Sequence, residues 1–257
     1  VQIDLTDACN QNCVVCWLHA PDLKERNRER VTRQATLPWD TYLALLDELR
    51  ELGTRELYFA GGGEPLAHPR AWDALAAASD RGFTLALHTN FSLVDEDGVS
   101  RILDLGIHHV TVSLWAASDE TYLATHPGSN LDVFRQVKER LQELNGRKVD
   151  RPITKLYHVL TTHNAHELTE QFGLAEELGC DHVEFAVGEV LSGTTEDHGL
   201  TREQCTQLVS DLQPLLERAP WRRPRVLGGT DLLYRLRTMA EGSLSDVSLV
   251  HQIPCFA

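Results

Sequence analysis

The amino-acid sequence predicts an α/β protein: a partial (β/α)6, TIM-like barrel of parallel strands with a short C-terminal connector. Three observations carry this. Short β-favouring runs alternate with stretches of helical periodicity six times between residues 2 and 216. Gly53, Gly82, Gly106 and Gly179 stand where helical stretches end. There is no glycine fingerprint of a dinucleotide-binding βα unit. The 257 residues, 42% of them hydrophobic, are enough for one sizeable core of this kind.

The elements follow in order. Residues 2–5 form a first strand that runs into a loop bearing Cys9, Cys13 and Cys16. Residues 22–33, crowded with Lys24, Glu25, Arg26, Arg28, Glu29 and Arg30, read as an exposed loop or short helix. Tyr42, Leu45, Leu46, Leu49 and Leu52 give residues 38–52 a helical spacing. A strand at 56–60 leads into Gly61-Gly62-Gly63-Glu64-Pro65. An Ala-rich helix (70–80), a strand (83–88), a helix (95–105) and a strand (109–114) follow. The cycle continues with a helix at 131–144, a strand at 153–160, a helix at 165–178 and a sixth strand at 182–187. A helix at 201–216 is capped by Thr201, with Gln204 three residues on. Residues 1–216 are thus read as the barrel, and 217–257, punctuated by Pro220, Pro224, Gly228 and Gly229, as a connector with a helix near 231–239.

In such a barrel the functional residues lie at the carboxyl ends of the strands. The cysteine loop follows strand one, the glycine run strand two, His88-Thr89-Asn90 strand three, and Ser113 ends strand four, so all four fall on one rim. The cysteines have the spacing C-x3-C-x2-C, which offers three thiolates and not four. Structural zinc is closed by four ligands, and a second C-x2-C pair is missing nearby. Three sulfurs can instead hold three corners of a cubane iron–sulfur cluster and leave the fourth iron open for a further ligand.

These motifs, in this order, resemble the radical S-adenosylmethionine (SAM) superfamily over about residues 1–190. The resemblance implies that Cys9, Cys13 and Cys16 bind one four-iron four-sulfur cluster whose open iron takes the amino and carboxylate groups of SAM. Gly61, Gly62, Gly63 and Glu64 would form the element that receives the methionine ammonium. Asn90 and Ser113 match positions that touch the SAM ribose or carboxylate, and Val187 lies in the segment that packs on adenine. The chain departs from the pattern at Val15, where an aromatic residue often precedes the third cysteine; here Trp17 follows it. The ending Ile253-Pro254-Cys255-Phe256-Ala257 resembles the start of a SPASM or twitch extension, in which Cys255 would begin an auxiliary cluster; a free cysteine in a tail is the alternative.

The implied activity is reductive cleavage of SAM to a 5′-deoxyadenosyl radical that abstracts hydrogen from a peptide, amino-acid or carbohydrate substrate, with modification, epimerisation or dehydrogenation as the outcome. Flavodoxin or ferredoxin would supply the electron. The alternative is a non-catalytic iron–sulfur protein that binds SAM or transfers electrons, with a zinc module more distant still.

The remaining features bound the reading. A net charge of −14 speaks against a nucleic-acid partner and serves solubility first. No apolar run is long enough to span a membrane and no signal peptide opens the chain, while both ends read as trimmed from a longer polypeptide. Six cysteines without a disulfide framework suit a reducing cytoplasm. Cys180 and Cys205 are expected in the core, with hydrogen donation to a substrate radical as the alternative for Cys205. His88 and His126 are expected as solvated rim histidines, with contact to substrate or a SAM carboxylate as the alternative, and Trp115 as pocket wall or core cover.

Overall fold

The computed structural model describes residues 1–218 and 222–242. Within them one parallel sheet runs in sequence order: β1 (Gln2–Ile3), β2 (Glu56–Phe59), β3 (Thr84–Thr89), β4 (His109–Ser113), β5 (Ile153–Leu160), β6 (His182–Val187) and β7 (Arg225–Leu227). β1 and β7 are the two edges and do not pair, so the barrel wall is open. The helices are α1 (Arg28–Arg33), α2 (Trp39–Glu51), α3 (Ala71–Asp80), α4 (Glu96–Asp104), α5 (Asp119–Thr125), α6 (Leu131–Arg147), α7 (Leu168–Glu177), α8 (Arg202–Leu216) and α9 (Gly229–Glu241).

The alternation of the strands divides their side chains between two environments. On β5, Thr154, Leu156, His158 and Leu160 are buried, while Ile153, Lys155, Tyr157 and Val159 are only partly so. The buried set joins the core under the helices, with Val110 and Val112 of β4, Val183 and Phe185 of β6, and Phe134, Val137 and Leu141 of α6. The other set faces the barrel interior. The register puts Ser113 beside Tyr157 and Tyr157 beside Glu184, so polar side chains of three strands form one layer there.

Local chemistry sets the helix starts. Asp95 accepts from Gly98 N at 2.7 Å to cap α4, and Asn130 accepts from Asp132 N and Val133 N to cap α6. Thr201 and Gln204 form the expected reciprocal capping box of α8.

Two features go beyond the sequence expectation. Helix α5 was not anticipated: it is one seven-residue segment, too short for a periodic signal, and Ser118 caps it by accepting from Thr121 N. The segment after 216, expected as a connector, contributes β7 parallel to β6, followed by α9 in place of the shorter helix foreseen. Three residues carry no strand signature of their own. β7 is set by tertiary contacts, with Arg225 N donating to Asp181 O and the buried Asp181 carboxylate taking Arg223 and Lys148. Cys180 and Cys205 lie in the core as expected, whereas Cys255 lies outside the described residues.

Candidate functional site

The carboxyl ends of the strands enclose a cavity of about 480 Å³. Cys9, Cys13, Cys16, Gly61, Gly62, Gly63, Glu64, Asn90 and Ser113 all line it. The rim expectation therefore holds as a statement of position. Val15, His88, Trp115 and Val187 line the same space.

The cysteine loop has almost no regular structure and is held from outside. Val14 N donates to Thr125 O at the end of α5, and Gln11 Nε2 donates to the Tyr122 hydroxyl. Asn10 Nδ2 donates to Ser92 Oγ at 2.7 Å. Within the loop, Cys16 N donates to Cys13 O at 3.0 Å, which folds the second and third cysteines toward each other. Among the described residues no group of three or more His, Cys, Asp or Glu side chains converges to hold a single metal ion. The three thiols line a common wall instead, and an all-sulfur donor set suits iron–sulfur chemistry. Burial pushes the Cys9 thiol up to about 11 and the Cys13 thiol well above its usual value, with repulsion from Cys16 and Glu64 adding to both. Such thiols become thiolates when a cation binds them.

The glycine run is seated directly on the backbone of that loop. Gly63 N donates to Thr6 O at 3.1 Å, Glu64 N to Ala8 O at 2.9 Å, and Gly62 N to Asp4 Oδ2 at 3.0 Å. A Cβ on Gly63 would lie 2.1 Å from Ala8 O, and one on Gly61, whose φ is +143°, would lie 2.1 Å from the Asp4 carboxylate. Two of these glycines are thus required by contact within the protein. The carbonyls of Gly62 and Gly63 have no donor among the described residues, so they remain acceptors at the cavity wall. Beneath the run, Arg30 holds Asp7 through two hydrogen bonds of 2.9 and 2.6 Å and lies 4.8 Å from the Trp17 ring centroid.

Glu64 is 3% exposed, and its carboxylate accepts from Thr89 Oγ1 at 2.6 Å, Asn90 N at 2.7 Å and Leu66 N at 3.1 Å. Burial raises its pKa against those hydrogen bonds. Asn90 is committed in turn: Nδ2 donates to Asn10 Oδ1 at 3.0 Å, and Oδ1 accepts from Ser92 N and Ser92 Oγ. Both residues tie the end of β3 to the glycine run or the cysteine loop while still lining the cavity. Ser113 Oγ accepts from Trp115 Nε1 at 2.8 Å and keeps its own hydroxyl proton to donate.

The histidine expectations need correction. His126 is 1% exposed, stacked on Tyr122 at 4.6 Å between centroids, and packed near Trp115. Helix α5 turns it inward, and burial pushes its pKa down to about 4. His88 is likewise no solvated residue: its Nδ1 pairs with the Tyr58 hydroxyl at 2.6 Å, and burial lowers it to about 4, so it is neutral at pH 7. Trp115, only 8% exposed, both walls the cavity and covers the core.

Sequence reasoning missed Tyr157, Glu189 and Arg235, which line the wall formed by the ends of β5 and β6 and by α9. The inward period of β5 could have indicated Tyr157. Arg235 had no signal, because its helix reaches the cavity only through packing against β6 and α8. Glu167 was missed too: buried, it accepts from Ala117 N, Ser118 Oγ and Thr121 Oγ1 and so anchors the loop between β4 and α5.

The family model described as the radical SAM superfamily matches residues 3–175. An AdoMet-dependent heme synthase of Methanosarcina barkeri is 29% identical over 189 residues, 72% of this chain and 49% of that protein. A PqqA peptide cyclase of Bradyrhizobium diazoefficiens is 25% identical over 223 residues, 84% of this chain and 55% of its own length. The chain thus spans about half the length of these relatives. Among solved structures, Streptococcus suis SuiB bound to the precursor peptide SuiA superposes with a TM-score of 0.66 at 17% identity, over 84% of this chain and 45% of that one. The anSMEcpe protein with bound AdoMet gives a TM-score of 0.66 at 16% identity, over 84% and 60% of the two chains. At these identities the superpositions speak for the fold alone.

Proposed function

The chain belongs to the radical SAM superfamily, and on that premise we propose that it is the radical-generating core of an enzyme that modifies a peptide. Members of this family use a four-iron four-sulfur cluster and SAM. That pair supplies one-electron cleavage of SAM to a 5′-deoxyadenosyl radical, which takes hydrogen from a substrate. The observation that carries the assignment to residues is the convergence of three cysteines, the glycine run, Asn90 and Ser113 on one cavity.

Cys9, Cys13 and Cys16 would hold the cluster. The carbonyls of Gly62 and Gly63, with the lone pairs left on Glu64, would receive the ammonium of SAM. Ser113 has a hydroxyl proton free for a ribose or carboxylate oxygen, and Asn90 has one amide proton beyond its bond to Asn10. Val15 and Val187 offer apolar surface for adenine. The barrel wall excludes water from the reacting groups and fixes their orientation. Exposed Lys24, Arg26, Arg28 and Arg33 follow the cysteine loop in the chain and would steer an acidic electron donor such as flavodoxin or ferredoxin.

A peptide is favoured over a carbohydrate because one curated relative is named a peptide cyclase and one structural neighbour holds a precursor peptide. Cys255 would begin an auxiliary-cluster extension, with the domain boundary after α9 because β7 pairs with β6 and α9 packs on β6 and α8.

The test is anaerobic reconstitution followed by dithionite and SAM. The expected result is 5′-deoxyadenosine together with four irons and four sulfides per chain. A fully loaded cluster that yields no 5′-deoxyadenosine would sink the catalytic reading and leave the SAM-binding or electron-transfer alternative.

A further inference from the structure

We infer that Arg235 anchors a carboxylate of the substrate on the cavity wall opposite the glycine run, an inference that rests on the radical SAM reading above. Helix α9 packs on β6 and α8 and carries Arg235 into the lining of the cavity. The Arg235 Nε is buried and has no hydrogen-bond partner among the described residues. The side chain enters no ion pair there either, although Glu189 lines the same cavity. Folded proteins seldom leave a buried donor unmatched. A guanidinium stays charged at every accessible pH, and its planar fork fits a carboxylate through two parallel hydrogen bonds.

The chemistry of the wall selects the ligand. Arg235 is the sole Lys or Arg side chain in the lining as described, and His88 there is held neutral by burial. One monovalent cation, with Glu189 nearby, matches a singly charged carboxylate better than a phosphate dianion. Position separates this wall from the methionine end of SAM. The proposed seat for the ammonium of SAM follows β2, while Tyr157, Glu189 and Arg235 belong to the β5–β6 side. Three strand spacings separate β2 from β5, about 14 Å along the sheet. The Tyr157 hydroxyl feels the charges of Glu184, Glu189 and, least of the three, Arg235, and has no hydrogen-bond partner among the described residues. The wall therefore offers a cation and a phenol to the same ligand: a side-chain or terminal carboxylate of a peptide, or an equivalent aliphatic acid.

The probe is glutarate, titrated into the SAM-loaded, 15N-arginine-labelled protein with full cluster, with glutaramide and inorganic phosphate in parallel. The expected result is a saturable shift of the Arg235 Nε–Hε resonance with glutarate, none with glutaramide, and binding of phosphate weaker by about tenfold or more. Arg235→Gln should weaken glutarate by about tenfold or more and leave the SAM dissociation constant within about twofold, and Arg235→Lys should recover part of the glutarate affinity. No saturable shift, an equal response to glutaramide or phosphate, or undiminished glutarate binding by Arg235→Gln would overturn the inference. A loss of SAM affinity in Arg235→Gln would assign the guanidinium to the SAM carboxylate and overturn it as well. If Arg235→Gln does not fold, the wild-type titration decides. Failure of wild-type protein to bind SAM would count against the radical SAM assignment and not against this one.

Discussion

Gly63→Ala tests why the glycine run is there. Its Cβ would meet Ala8 O at 2.1 Å, Thr6 O at 2.6 Å and Asp7 C at 2.7 Å, all backbone atoms. An ordinary carbon–oxygen contact is about 3.3 Å, so the segment 6–8 must retreat by about 1.2 Å. That movement breaks the bonds from Gly63 N to Thr6 O and from Glu64 N to Ala8 O. Overpacking costs about 1–3 kcal/mol and each buried group left without its partner about 1–3 kcal/mol, so with two bonds broken a loss of about 3–9 kcal/mol is expected. The displaced residues lead directly into Cys9, so cluster loading should fall in step with stability. Gly53→Ala is the control: its φ is +81°, but no atom lies within 4 Å of a Cβ there, and it should cost only about 1 kcal/mol of backbone strain. The assay pairs urea denaturation of the metal-free protein with iron and sulfide content after reconstitution. Wild-type stability and a full cluster in Gly63→Ala, with SAM affinity alone reduced, would refute the seating argument and return this glycine to the ligand.

Other predictions follow from the same contacts. Cys13→Ala should retain its circular dichroism but hold below about a tenth of the wild-type iron and sulfide, because two thiols cannot organise the cluster; a normal four-iron absorbance would refute the ligand assignment. Asn90→Ala removes the bond to Asn10 and the acceptor for Ser92, so it should lower stability by about 2–3 kcal/mol and reduce cluster loading, whereas a pure SAM contact would change SAM affinity only. His126 has a native pKa of about 4 against an unfolded value of 6.5, so it is neutral in both states above pH 6.5. Between pH 6.5 and 4 the unfolded chain takes up a proton that the native state refuses, and about 3 kcal/mol of stability is lost through this one group. His126→Phe should flatten that acid slope; an unchanged slope in urea titrations across this window would show that the burial of His126 is not its source.

The sequence made the barrel legible because its signals are local. Strand β5 alternates over eight residues, α6 repeats its apolar face over seventeen, and glycines end several helices. The cysteine spacing and the glycine run were legible for the same reason, being contiguous. Other features depend on partners far away in the chain. Strand β7 exists through Asp181 and β6, the inward turn of His126 depends on a short helix capped by Ser118, and the place of Arg235 depends on α9 meeting β6. The expected roles of Glu64 and Asn90 were likewise incomplete. Position on the rim was readable from order along the chain, but the hydrogen bonds that occupy both side chains come from Thr89, Leu66, Asn10 and Ser92.

Those hydrogen bonds divide the cavity into two halves with different physical characters. On the β1–β3 side, Glu64, Asn90, Asn10, Ser92 and Thr89 satisfy one another, and the glycine run is locked to the cysteine loop. A network closed in this way resists displacement, because moving one member strands the polar groups of the next in a poorly solvated site. It suits a task in which a cluster and its ligand must be held in one geometry. On the β5–α9 side, Tyr157, Glu189 and Arg235 have no hydrogen-bond or ion-pair partners among the described residues. Groups left uncommitted gain most from a ligand that matches them and penalise one that does not. Substitutions on the first side should therefore disturb cluster and SAM together. Substitutions of Tyr157, Glu189 or Arg235 should leave that machinery loaded and change which substrate is accepted, a separation that cluster content and SAM affinity on one hand, and substrate competition on the other, can measure independently.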